Sequence, residues 1–95
     1  MAIKILIPTA LRSFTGRNAE LEVEGDTVAE ALSALTKMHP DIKKHLYQDD
    51  STELRSFINV FVGETNIKKL DGLNSKLSGG ETVMLVPAIA GGFDN

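Results

Sequence analysis

Thr82-Val83-Met84-Leu85-Val86-Pro87 decides the fold of this chain. The run is β-branched and apolar, too short for a typical helix, and closed by a proline that has no N–H for a ladder hydrogen bond. It reads as the last strand. The other most apolar stretch lies at the opposite end of the sequence, Ala2-Ile3-Lys4-Ile5-Leu6-Ile7-Pro8, again stopped by a proline. There Ile3, Ile5 and Ile7 share one face, leaving Lys4 and Leu6 on the other. Strands this apolar belong at the centre of a sheet. If a single helix covers that sheet, the two central strands lie side by side, and a first strand beside a last one is commonly parallel in small α+β folds.

The residues between them fit this frame. Residues 9–17 form a connection that tucks Leu11 and Phe14 inward, and Ala19-Glu-Leu-Glu-Val-Glu24 alternates as an outer strand does, giving a hairpin with strand one. Gly25-Asp26-Thr27 turns the chain. Thr27 followed by Glu30 has the spacing of a capping box, in which each side chain satisfies a backbone N–H at a helix start. Val28, Ala31, Leu32, Leu35 and Met38 then recur at helical spacing, and Pro40 ends the run. Asp41 is expected to cap a further short turn carrying Ile42 and Leu46, and residues 47–56 form a polar, acidic connection. Phe57-Ile-Asn-Val-Phe-Val62 reads as a strand, Gly63-Glu64 as a tight turn into a short strand over Thr65–Lys68, and Leu70, Leu73 and Leu77 punctuate a polar loop with a turn at Gly79-Gly80.

Hairpin, helix, strands is the order of a β-grasp, or ubiquitin-like, α+β fold: a mixed sheet of four to five strands with one main helix packed on one face. The domain is expected to span residues 1–89, and residues 90–95 to form a flexible C-terminal tail. With Ile3, Ile5, Ile7, Ile58, Val60, Val62, Val83 and Leu85 turned to the helix, Leu6, Phe57, Phe61, Met84 and Val86 emerge on the opposite face. Aromatic, Met and aliphatic side chains on an open sheet face suggest a partner-binding patch.

Composition narrows the function. The chain has 95 residues, enough for one core and no second domain, with 42% apolar and 24% charged residues. Its apolar runs are far shorter than the roughly 20 residues of a membrane span, and it lacks the features of a signal peptide, so a cytoplasmic location is expected. The formal net charge is −3 and basic residues are scattered, which argues against nucleic acid. There is no cysteine, hence no disulfide, iron–sulfur cluster, thiolate zinc site or cysteine nucleophile. His39 and His45 lie near Asp49, Asp50 and Glu53 without metal-ligand spacing. No nucleophile–base pair or phosphate loop is present either, so the chain is not read as an enzyme, and no cofactor of its own is expected.

The remaining feature is the tail, Ala90-Gly91-Gly92-Phe93-Asp94-Asn95. Glycines lack a Cβ, so another protein's walls can close on the bare backbone of Ala90, Gly91 and Gly92 as it threads inward. Ile7-Pro8-Thr9 with Leu11-Arg12, Gly25-Asp26-Thr27, Phe57-Ile58-Asn59-Val60 and above all Val86-Pro87-Ala88-Ile89-Ala90-Gly91-Gly92 resemble the prokaryotic ubiquitin-like sulfur carriers of the ThiS/MoaD family, most closely those that serve cysteine synthesis. The resemblance covers residues 1–92. It implies that the carboxylate of Gly92 is adenylated by an E1-like enzyme with ATP and converted to a thiocarboxylate. It further implies a sulfur-accepting enzyme, such as a cysteine synthase that uses pyridoxal phosphate, and a zinc metalloprotease. The family pattern ends at the second glycine, whereas here Phe93-Asp94-Asn95 follow, so the working carboxylate is locked in a peptide bond. Processing between Gly92 and Phe93 is therefore expected.

Two other readings remain open: a ubiquitin-like modifier joined through Gly92 to lysines of other proteins, and a non-catalytic interaction module. The recipient pathway is open as well. A monomer forming transient complexes is expected.

Overall fold

The computed structural model describes residues 2–48, 53–55 and 57–87. Five strands form one mixed sheet: β1 (Ala2–Leu6), β2 (Glu20–Glu24), β3 (Ile58–Val62), β4 (Thr65–Asn66) and β5 (Thr82–Pro87). Their order across the sheet is β2-β1-β5-β3-β4. The two most apolar strands are thus central neighbours, and they run parallel, with Lys4, Ile5 and Leu6 opposite Thr82, Val83 and Met84. All other pairings are antiparallel. This is the β-grasp arrangement that the apolar pattern of the two end strands implies.

Helix α1 (Val28–Met38) buries Val28, Ala31, Leu32 and Leu35 against the sheet. Thr27 caps it: its Oγ1 accepts the Glu30 N–H at 3.1 Å. The return bond of the expected box lands one residue early, because the Glu30 carboxylate accepts from the Asp26 N–H at 2.8 Å. Here the chain before the helix is held by residues 75–77, with the Leu77 N–H donating to Asp26 O at 2.8 Å and the Val28 N–H to Ser75 O at 3.0 Å. The turn also passes so close over the first helical turn that a Cβ on Gly25 would lie 2.8 Å from the Ala31 nitrogen. Only glycine fits there without a shift.

Several boundaries differ from the sequence reading. Met38 does not belong to the buried stripe; it is 49% exposed on the helix flank, while Ile42 and Leu46, after the turn at Pro40, enter the core. Asp41 makes no capping bond, since it lies inside a 3-10 turn over Pro40–Ile42 that runs directly into helix α2 (Lys43–Leu46). Residues Thr9–Phe14 form a 3-10 helix instead of an irregular connection, and β4 stops at Asn66, whose side chain accepts the Lys68 N–H and starts another 3-10 turn. Of the loop leucines, Leu77 is buried, Leu73 packs on the core and Leu70 is exposed. Strand β3 starts at Ile58, one residue later than expected.

The core is one cluster, centred on Ile3, Ile5, Leu32, Leu35, Val83 and Leu85, all at most 1% exposed. It lies wholly between the sheet and the helical side. Burying aliphatic side chains of this size contributes about 1.5–3 kcal/mol each, the main favourable term in so small a domain. Among the described residues two polar ones join the interior: Ser75, whose Oγ accepts the Asp71 N–H at 3.0 Å, and Thr15, whose Oγ1 lies 3.3 Å from the carbonyls of both Arg12 and Asn18.

Candidate functional site

Because strand side chains alternate, turning one face to the helix presents the other, and the register shows what stands there. Leu6 is opposite Glu20 on one side and Met84 on the other; Met84 is opposite Phe61, and Phe61 is opposite Asn66. Glu20, Leu6, Met84, Phe61 and Asn66 therefore form one row across all five strands. One step along β5, Val86 stands opposite Asn59. The five residues proposed from alternation, Leu6, Phe57, Phe61, Met84 and Val86, thus all have the parity of the open face. Leu6, Phe61, Met84 and Val86 are half-buried, and Phe57, just ahead of β3, is 45% exposed.

The patch slopes into a groove of about 390 Å³ beside the last described residue, Pro87, lined by Leu6, Pro8, Arg12, Met84 and Pro87. Arg12 is fixed there by its Nε, which donates to Ile7 O at 2.9 Å. The parallel run of β1 and β5 brings Pro8 and Pro87, far apart in sequence, to the same rim. Past Pro87 the backbone needs five residues to reach Gly92, a span of at most about 17 Å. Ala90, Gly91, Gly92 and Phe93 themselves lie outside the described residues, as do Asp49 and Asp50.

The flanks of the patch are charged, which the sequence reading missed. Glu20, Glu22 and Glu24 of β2 all stand on the open face, opposite Leu6, Lys4 and Ala2, with the Lys4 ammonium 3.6 Å from Glu20. On the far side Arg55 lies 6.0 Å from the centre of the Phe57 ring, and it shares a second cavity of about 450 Å³ with Lys68 and Glu53. The clue was available in the alternation of residues 19–24, but its meaning required the strand order.

Among the described residues no three His, Cys, Asp or Glu side chains gather as a metal set. His45 instead stacks on Phe14, ring centres 3.9 Å apart, and burial of the imidazole, with Lys44 and Arg55 nearby, lowers its pKa despite Asp41. No described helix is long and apolar enough to cross a membrane.

The ThiS family model matches residues 5–92. The sulfur carrier protein CysO of Mycobacterium tuberculosis is 31% identical over 93 residues, which are 97% of this chain and all of that protein. Among solved structures, that of the BexX/CysO complex of Amycolatopsis orientalis contains a chain 34% identical with a TM-score of 0.85, covering 95% of this chain and 99% of the other. The small archaeal modifier protein 1 of Methanosarcina acetivorans superposes with a TM-score of 0.86 at 26% identity, over 96% of each chain. A family match over nearly every strand, together with a carrier matched end to end, shows that the chain belongs to the ThiS family and is a small protein carrier of sulfur of the CysO type, not a catalyst.

Proposed function

We propose that this protein carries sulfur as a thiocarboxylate on Gly92, after a protease has removed Phe93-Asp94-Asn95. A free carboxylate is a poor electrophile because its charge is delocalised. An E1-like enzyme would join the Gly92 carboxylate to AMP from ATP, releasing pyrophosphate; a sulfide donor then displaces AMP and leaves the thiocarboxylate, a soft nucleophile held on a protein. The observation that carries this reading is the extent of the family match, which ends at Gly92. The open-face patch supports it as the surface that docks while Ala90, Gly91 and Gly92 reach into the partner.

For the next step we propose an acceptor enzyme that makes cysteine with pyridoxal phosphate, followed by a zinc metalloprotease that hydrolyses the bond between Gly92 and the new cysteine. The likeness to CysO supports this route. A zinc protease of the same kind would also serve to remove the residues after Gly92. We place these events in the cytoplasm, with the carrier a monomer between encounters.

Intact-mass measurement after incubation with source-organism lysate, ATP and sulfide tests the proposal. Loss of the three residues, then replacement of one oxygen by sulfur, is the expected result. Persistence of the full-length mass while a chain ending at Gly92 is thiolated would sink the processing step. The likeness to a small archaeal modifier favours a second reading, conjugation of Gly92 to lysines, which isopeptide-linked peptides in a digest would reveal.

A further inference from the structure

The patch alone does not explain how the tail is aimed. An apolar row can be covered equally well in two orientations related by a half-turn about the normal to the sheet. One points Pro87 toward the partner's active site and the other points it away. With a reach of at most about 17 Å from Pro87 to Gly92, the second is unproductive.

The two flanks break this ambiguity. Glu20, Glu22 and Glu24 line the β2 flank, with Lys4 among them and Arg12 at the groove end. Arg55, Lys68 and Lys69, the last exposed in the same 3-10 turn as Lys68, stand at the β3–β4 flank and outnumber its acidic residues, Glu53 and Glu64 of the turn between the two strands. A half-turn would exchange a mainly acidic edge for a mainly basic one. We infer that the open face docks on an adenylating enzyme whose surface carries a basic rim beside β2 and an acidic rim beside β3–β4, so that charge selects the one orientation that delivers Gly92. Interface charges of this kind act mainly on encounter rate and register, and like charges brought together penalise the wrong pose. This rests on the proposed adenylation of Gly92.

The test uses a chain ending at Gly92, the adenylating enzyme of the same organism, ATP and a pyrophosphate-release assay at about 20 mM and about 500 mM salt, where screening differs several-fold in range. Glu20→Lys/Glu22→Lys is expected to raise KM about tenfold at low salt with kcat nearly unchanged, and the gap should close at high salt. Glu20→Gln/Glu22→Gln, which only removes charge, should show a smaller effect in the same direction. The four-site swap Glu20→Lys/Glu22→Lys/Lys68→Glu/Lys69→Glu should still bind yet inhibit adenylation of the wild type, because it favours the turned pose. All these positions are exposed, and circular dichroism checks their fold. Wild-type kinetics for the double Lys variant and the swap would overturn the inference while leaving carrier function intact. Failure of the wild-type chain to be adenylated at either salt concentration would overturn both.

Discussion

Phe61 of β3 and Met84 of β5 stand directly opposite each other on the face that α1 leaves open, and Leu6 flanks Met84 from the parallel side. The pair is a cross-strand contact of the kind worth about 0.2–1 kcal/mol to the sheet, and it stands at the middle of the proposed docking patch.

Phe61→Asp is therefore expected to lower stability by no more than about 1–2 kcal/mol, yet to weaken docking to the adenylating enzyme more than tenfold, since aromatic anchors at the centre of a patch dominate binding. Val86→Asp should act likewise. Titration calorimetry and chemical denaturation on the same samples separate the two effects; unimpaired docking by both variants would remove the patch from the mechanism.

The cap of α1 sits on the opposite side of the sheet from the patch. Thr27→Ala removes the acceptor of the Glu30 N–H and should cost about 1 kcal/mol in urea denaturation, with adenylation kinetics unaltered.

Gly25→Ala should be worse than the cap variant. Its new methyl group meets backbone, the Ala31 nitrogen at 2.8 Å, and overpacking of that kind costs about 1–3 kcal/mol. Gly63→Ala offers the contrast: beyond its chain neighbours no atom of the described residues lies within 4 Å of the added Cβ, so its cost is that of the left-handed backbone alone, φ 63°. A thermal melt that ranks Gly63→Ala as the more damaging would contradict the described packing.

Acid should weaken the fold in two stages. The pKa of His45 is lowered from 6.5, so the unfolded chain binds its proton first; the stability it contributes is complete above pH 6.5 and is lost as pH falls toward the lowered folded value. Its Nε2 is buried and has no hydrogen-bond partner among the described residues, which sharpens the penalty for charging it. Glu81 is lowered from 4.5, chiefly by the Ser78 N–H bond to its carboxylate and also by that of Gly79, so its contribution is lost only below pH 4.5. Denaturation midpoints for the wild type and His45→Gln should converge as pH falls below 6.5, while Glu81→Gln should flatten only the lower stage. Parallel curves for all three proteins would contradict this assignment.

What the sequence by itself determined was set by local chemistry and period. Alternation placed Leu6, Phe61, Met84 and Val86 on one face, the prolines closed the end strands, and Thr27 with Glu30 marked the start of α1 before Val28, Leu32 and Leu35 revealed its buried side. These signals are legible because each depends on neighbours a few residues away. Met38 shows where that legibility ends: its spacing fits the helix, but the chain turns at Pro40 and delivers Ile42 and Leu46 to the core in its stead. Only tertiary structure decided that Glu20 and Asn66 stand at opposite ends of one row, that Pro8 and Pro87 share a groove, and that the flanks of the patch differ in charge. Those facts follow from strand order and register, which join Val62 to Val83 and Leu6 to Met84, 21 and 78 positions apart, and no local pattern contains the hydrogen bonds that set them.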